Sequence, residues 1–563
     1  MDTSRDTIGR TLARCMTIRP SITVVFALFM LLACAYLFVM LHKPWDLRPG
    51  AAHDDALYVG LARSLLNGEW LGVYNDRTLA KPPGFSFFIA LAALSGLPFN
   101  IAVGLFNGSI SVFFSWAVWR LSLSRLAALL AFGLVLFSPQ YFMLNRVLRE
   151  DIYCYQFMLF LGLLICWMTD CRGYRWIAAA GVAFGWLWIT REDGIWLLPG
   201  VLVWLLLDQH RRLVRLKGAL LFLLAAVLLP VGLGLMNRAH YGRWAVAEIN
   251  DAAFVKAISA TQSVRDGGRI PGVAVTKAAR QMLYDVSPAL ATLRPVIEAP
   301  GYFDFACSIA ANRCGEIGNG WWHWAVRYAA WQRGHHQSPA EAAAFYKQVR
   351  ADIEGACKRG ALHCDWRPIA ALPTMSWNDV VQMPGYGFEI MRTALTADPS
   401  ALTASSSEGE QAALGAMFKI LNGPPIFESS DFKSSFLKGT DEYRSSIDFS
   451  FLKTLLGIYH ALLILLELVT IILALCCLLL SRRMQFGTAE RVCVVILTYA
   501  FSRIGLLSII GVTSFTTDNA MYIGPVYHLL AIFVLLVLVL AWRRVVSIIV
   551  PKMIREQVSL PFV

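Results

Sequence analysis

Apolar runs about as long as a bilayer is thick constrain this chain more than any other feature. The first, residues 22–41, is followed by runs near 99–119, 126–142, 152–169, 176–189, 195–207, 218–236, 452–480, 492–512 and 523–541. A hydrocarbon core of about 30 Å takes roughly 20 helical residues to cross. Inside it the backbone must satisfy its own hydrogen bonds, which favours helices. Only 16% of residues are charged and 57% are hydrophobic, against about a quarter charged in soluble domains. The expectation is a mainly α, polytopic membrane helix bundle of about 10 spans. The formal charge of +12 does not point to nucleic acid, because the basic residues cluster beside apolar runs as the positive-inside rule requires.

Arg5, Arg10, Arg14 and Arg19 precede the first run. The run is too long for a signal-peptide core and no small-x-small cleavage site follows, so it reads as an uncleaved helix with a cytoplasmic N-terminus. Residues 42–84 then lie outside. Within them Ala56–Leu66 has helical spacing and stops at Asn67-Gly68, which predicts a short helix on the membrane surface. Phe85–Leu94 after Pro82-Pro83 is too short to span and reads as interfacial. With that helix left out of the count, 53–81, 145–151 and 190–193 converge on one membrane face. Arg120, Arg125, Arg172, Arg175, His210-Arg211-Arg212, Arg482-Arg483 and Arg543-Arg544 fall on the other. Three parts follow: an N-terminal transmembrane module, 1–236, with its first outer loop at 42–84; an extracytoplasmic segment, 237–450, long enough for its own core; and C-terminal spans, 451–563. Ser338-Pro339-Ala340-Glu341 reads as a capped helix start, and 396–446 as a flexible or poorly packed stretch.

The converging stretches carry the chemistry. Asp54-Asp55 reads either as a solvated pair or as a general base, since burial beside a like charge raises one carboxyl. Lys81-Pro82-Pro83 reads either as an interfacial lysine or as a cation fixed beside a phosphate. Arg146, Arg149, Glu150 and Asp151 could be interface anchors, but Asp151 at the mouth of an apolar helix calls for a partner. Thr190-Arg191-Glu192-Asp193-Gly194 sits between two apolar runs with little loop to solvate it, the strongest single hint of a site. No phosphate-binding glycine loop, dinucleotide motif, Gly-x-Ser-x-Gly or His-x-x-x-His occurs. The histidines assemble no metal site; a divalent cation on Asp54, Asp55 and Asp151 stays an option. Cys307, Cys314, Cys357 and Cys364 form two Cys-x6-Cys pairs in the extracytoplasmic segment and are disulfide candidates, with three connectivities open.

Taken in order, Asp54-Asp55-x-x-Tyr58, Lys81-Pro82-Pro83, Ser138-Pro139, Asp151, Arg191 and the apolar run ending at Pro199 resemble the GT-C superfold of membrane glycosyltransferases. The similarity is to the branch of protein O-mannosyltransferases and lipid A aminoarabinose transferases. It covers about 20–235, with an echo in Tyr522-x-x-Pro525. The resemblance implies an inverting transfer from a polyprenyl-phosphate-linked sugar donor, drawn from the membrane lipid, to a hydroxyl of an extracytoplasmic glycolipid, glycan or protein. It implies Asp54 as base, Asp55 and Asp151 as further catalytic acids, and Lys81, Arg149 and Arg191 on the donor phosphate. Tyr58, Arg146, Glu150 and Glu192 support them. A bacterial inner membrane with the site facing the periplasm is the expected location, since no retrieval signal is seen and the one Asn-x-Ser match, Asn107-Gly108-Ser109, falls inside a predicted span. Asp55 stands where relatives often have Glu, and 237–450 fits no family pattern. The alternatives are a transporter or flippase, and a polymerase or ligase of lipid-linked glycans.

Overall fold

A computed structural model describes residues 21–42, 46–143, 146–170, 173–299, 314–365, 375–402, 407, 410–422, 449–480 and 486–558. The arginines before residue 20, Arg172, Arg482-Arg483, Cys15, Cys171 and Cys307, and most of 396–446, lie outside the described residues. Among the described residues the protein is helical, with only isolated β-bridges.

The membrane part opens with α1 (Ile22–His42), which leads into two short helices, α2 (Asp55–Leu66) and α3 (Gly84–Leu94). Next come α4 (Phe99–Ser122), α5 (Arg125–Leu136), α6 (Pro139–Met143), α7 (Glu150–Thr169), α8 (Tyr174–Thr190), α9 (Leu197–Leu207) and α10 (Arg212–Tyr241). The described part of 237–450 holds α11 (Ala252–Ser263), α12 (Lys277–Val286), α13 (Pro288–Ala291), α14 (Arg294–Ile297), α15 (Asn319–Gln332), α16 (Pro339–Lys358), α17 (Trp377–Thr396) and α18 (Gln411–Leu421). The chain returns through α19 (Phe449–Leu480), α20 (Thr488–Thr513) and α21 (Ala520–Val558).

Eight described helices are long and apolar enough to cross a membrane. The expected crossings at 176–189 and 195–207 form the shorter α8, of 17 residues, and α9, of 11 residues. Both pack into the main bundle core through Ile177, Leu187, Leu197 and Trp204. The integral-membrane, multi-pass architecture stands. The span α7 is buried along most of its length, whereas α1, α10 and α19 turn most of their surface outward. Apolar side chains facing outward all along a helix suit lipid and not water.

Pro139 begins α6 after α5 stops at Leu136, so Ser138-Pro139 breaks the span as its sequence predicts. Ser338 caps α16 by accepting from the Glu341 amide at 3.3 Å. The helix expected to lie on the surface at Ala56–Leu66 is instead sunk into the protein. Leu57, Tyr58, Val59, Leu61 and Ala62 of α2 are buried against Phe85 and Ile89 of α3, and Leu414, Met417 and Leu421 of α18 close over them. Part of the stretch expected to be flexible is therefore a packed cover. Cys357 and Cys364 are disulfide-bonded to each other, and Cys314 is also in a disulfide.

Candidate active site

The three charged stretches meet at one end of the bundle. Asp54 occupies the N-cap position of α2 but makes no capping bond with its side chain. Its Oδ1 accepts from Lys81 Nζ at 2.9 Å. The next residue, Asp55, is fully buried and takes Arg146. Both carboxylates lie at a helix N-terminus, where the backbone dipole favours negative charge.

Beyond this pair runs a closed chain of charge. Arg149 binds Glu192 through both terminal nitrogens, one of them at 2.8 Å, and reaches Glu150 at 3.4 Å. Glu150 pairs with Arg191, which grips Asp193 in a bidentate contact of 2.8 Å on each side. Asp193 also accepts from Arg503 of α20 at 2.6 Å, and Arg503 donates to the Tyr522 carbonyl at 3.0 Å. Each guanidinium also lies over an aromatic ring: Arg149 over Tyr58, Arg191 over Tyr153 and Arg503 over Trp196. Asp151, beside Glu150 at the head of α7, accepts from the Leu148 amide at 3.2 Å and so shapes the turn carrying Arg149.

Local backbone places Lys81 with unusual care. Gly84 begins α3 directly against the end of α8; a Cβ there would meet the Ile189 carbonyl oxygen and Thr190 Oγ1 at 2.6 Å. That approach brings Pro82-Pro83 to the Thr190-Arg191 turn. Leu79 adopts a left-handed φ of 59°, uncommon without glycine. It is held there by burial of its side chain and by its carbonyl, which accepts from the Glu248 amide at 2.7 Å. Arg327 of α15 clamps the same loop, donating to the carbonyls of Asp76 at 2.6 Å and Thr78 at 3.0 Å while pairing with Glu248 at 2.7 Å. Tyr74 donates to Glu248 at 2.7 Å, and His336, against Tyr74, contacts Tyr346 at 2.7 Å. Residues of the segment 237–450 therefore set the loop that carries the lysine.

Electrostatics divide the two acids. Burial pushes the Asp54 carboxyl up, but Lys81, helped by Arg149 and Arg146, more than offsets it and holds it at about 2. Burial dominates at Asp55 and raises its carboxyl despite Arg146. Burial also works against the Glu192 carboxylate, yet Arg149 brings it down to about 2. Asp55 is thus the raised acid of the pair, while Asp54, the acid expected to be the base, is held low. Accessibility separates them too: the Asp54 side chain is 37% exposed while that of Asp55 is fully buried.

All ten sequence-named site residues gather here: Asp54, Asp55, Tyr58, Lys81, Arg146, Arg149, Glu150, Asp151, Arg191 and Glu192. Arg149 and Arg191 are already engaged by carboxylates. Asp54 and Asp55 each face a cation, and no group of three or more His, Cys, Asp or Glu among the described residues is placed to hold a metal ion. Sequence reading missed Arg503, an arginine inside an apolar run and so itself a signal of a buried charge. It also missed His53 and Trp324, whose rings stack at 4.1 Å beside Lys81; the run Trp321-Trp322-His323-Trp324 was the available clue.

Residues 80–233 match the dolichyl-phosphate-mannose-protein mannosyltransferase family. The match begins one residue before Lys81 and ends within α10, and it bears out the resemblance over that stretch. No curated protein sequence matches the chain. Two crystal structures of ArnT from Cupriavidus metallidurans overlay on it, both with a TM-score of 0.33. The apo form is 14% identical, covering 93% of this chain and 78% of that one. The form bound to undecaprenyl phosphate is 15% identical, covering 92% and 77%.

Proposed function

We propose that the protein is an integral-membrane inverting glycosyltransferase, moving a sugar from a polyprenyl-phosphate donor to a hydroxyl of an extracytoplasmic acceptor. The observation that carries this reading is the Asp54–Lys81 pair: a base and a cation 2.9 Å apart, at the mouth of an otherwise closed charge cluster, in a chain that matches a lipid-phosphate-sugar family from residue 80.

The two groups are each other's partners, so substrate has to enter between them. The donor phosphate takes Lys81. Asp54, losing its neighbouring cation, keeps only Arg149 and Arg146 to oppose burial, which strengthens it as a base. It accepts the proton of the acceptor hydroxyl. The oxygen attacks the anomeric carbon from the face opposite the phosphate. The bond from that carbon to the phosphate oxygen breaks, and its electron pair leaves with the polyprenyl phosphate. Lys81 neutralises the charge that builds on the leaving group. Of the two arginines implied for the phosphate, Arg149 is the nearer, lying with Lys81 around Tyr58. Arg191 acts through Glu150 and Asp193 to hold the floor. Asp55 with Arg146, and Asp151 with the Leu148 amide, fix the two turns.

The reading places the site on the outer face of a bacterial inner membrane. The Cys357–Cys364 disulfide supports an oxidising compartment on that side. The test is mass spectrometry of extracted lipids and glycoconjugates from cells lacking the gene and from cells carrying Asp54→Asn. Accumulation of a polyprenyl-phosphate sugar, with loss of one residue from a glycoconjugate in both strains, is expected and names the acceptor. Full restoration of the glycoconjugate by Asp54→Asn removes Asp54 as base.

A further inference from the structure

The segment 237–450 has no counterpart in the matched stretch, yet it puts one helix face directly over the proposed reacting groups. We infer that Trp321 of α15, with Trp324 and His53 behind it, forms an aromatic wall on which the sugar ring of the donor lies. This rests on the transferase reading above and goes on to say which residues hold the sugar.

Trp321 and Trp324 are three residues apart and so share a face of α15. Their shared neighbour is His53, whose ring lies 4.1 Å from Trp324 in a stacked arrangement and 6.4 Å from Trp321. Lys81 Nζ lies 5.4 Å from the Trp324 ring centroid. A sugar joined through one oxygen to a phosphate on Lys81 therefore comes within reach of this wall. Trp324 is almost fully buried against His53 and Lys81, and Trp321, on the same face, is 43% exposed. The wall is pinned at both ends. Arg327 ties α15 to the first outer loop. At the other end Asn319 donates to the Thr513 carbonyl at 2.7 Å, and Gly320 lies so close to Phe515 that a Cβ would come within 2.6 Å of its ring. Burial and the nearby Lys81 bring the pKa of His53 down to about 3. The histidine is thus neutral at working pH and adds no charge beside the lysine. An aromatic face with one or two placed polar groups is the usual make-up of a small-ligand site, and ring faces contribute both apolar area and directional contact.

The test uses full-length protein in lipid nanodiscs, with bare polyprenyl phosphate and a panel of polyprenyl-phosphate monosaccharides, mannose and aminoarabinose included. Wild type is expected to bind at least one sugar-bearing lipid about tenfold more tightly than the bare lipid, the scale of one ring contact. Trp321→Ala should abolish that preference with unchanged affinity for the bare lipid, and Trp321→Phe should restore most of it. Lys81→Ala should weaken both kinds of lipid together. An unchanged thermal midpoint in Trp321→Ala shows that the helix is intact. Retention of the preference by Trp321→Ala, or equal binding of bare and sugar-bearing lipids by wild type, overturns the wall and leaves the donor reading standing. Failure of wild type to bind any of these lipids sinks the donor reading itself.

Discussion

Two sets of charge lie side by side at one end of this bundle, and they differ in closure. In the chain from Glu192 through Arg149, Glu150, Arg191 and Asp193 to Arg503, the guanidiniums meet carboxylates on successive helices and turns. It ties the heads of α7 and α9 to α20. The Asp54–Lys81 pair is a single contact with one partner 37% exposed. Removing charges from hydration is costly, and only dense pairing recovers that cost. A closed network is thus a scaffold, whereas a lone, reachable pair can exchange its partners for substrate. On the proposed reading that difference gives chemistry to Asp54 and Lys81, and support to Arg191, Asp193 and Arg503, although all are charged residues at one end of the bundle.

The largest effect that sharpens this contrast is on transfer. Asp54→Asn should lower turnover by about 10²–10⁴-fold, the range of a lost general base, while the protein still inserts and unfolds at an unchanged temperature. A matching collapse of stability would put Asp54 in the scaffold and break the comparison. The mirror experiment is Asp193→Asn, which leaves Arg191 and Arg503 short of a counter-charge. It should cost about 3–5 kcal/mol of stability, read as a lower unfolding midpoint in detergent, with activity lost in proportion to folded protein.

Lys81→Ala tests coupling within the open pair. Lys81 favours the Asp54 carboxylate, so while it is present the base is ionised well below neutral pH. Without it, burial favours the protonated acid. The acid limb of the kcat/KM profile should then move to higher pH by roughly one to two units, and KM for the lipid donor should rise. An unmoved acid limb would show that Lys81 does not govern the base. The smallest effect concerns the segment 237–450. Cys357→Ser opens a short loop and should lower stability by about 2 kcal/mol, with turnover per folded molecule unchanged. Loss of turnover would mean that the bridge shapes the site as well as the fold.

Much of the site was legible because charge is rare in such a chain. Asp54, Lys81, Arg149 and Arg191 stand out against apolar runs, and the order of the runs puts them on one face. What the sequence left open is their pairing. Asp54 and Asp55 are neighbours with the same side chain, yet one faces Lys81 and the other Arg146, because Asp54 sits at the N-cap and Asp55 turns into the first turn of α2. Arg503 was passed over because its apolar run reads as an ordinary span, and its partner Asp193 lies 310 residues earlier. The burial of α2 was misread for a similar reason: α18, which covers it, arrives from a stretch whose composition suggests a loop.

The apolar runs and their basic flanks by themselves determined a polytopic helical protein with its acids and cations gathered at one face, since hydrocarbon tolerates neither open backbone nor stray charge. Only the tertiary structure decided which of those charges are closed into a scaffold and which pair stays reachable, and that α15 stands over the reachable one. Those outcomes depend on contacts between residues hundreds of positions apart, and no local pattern along the chain carries them.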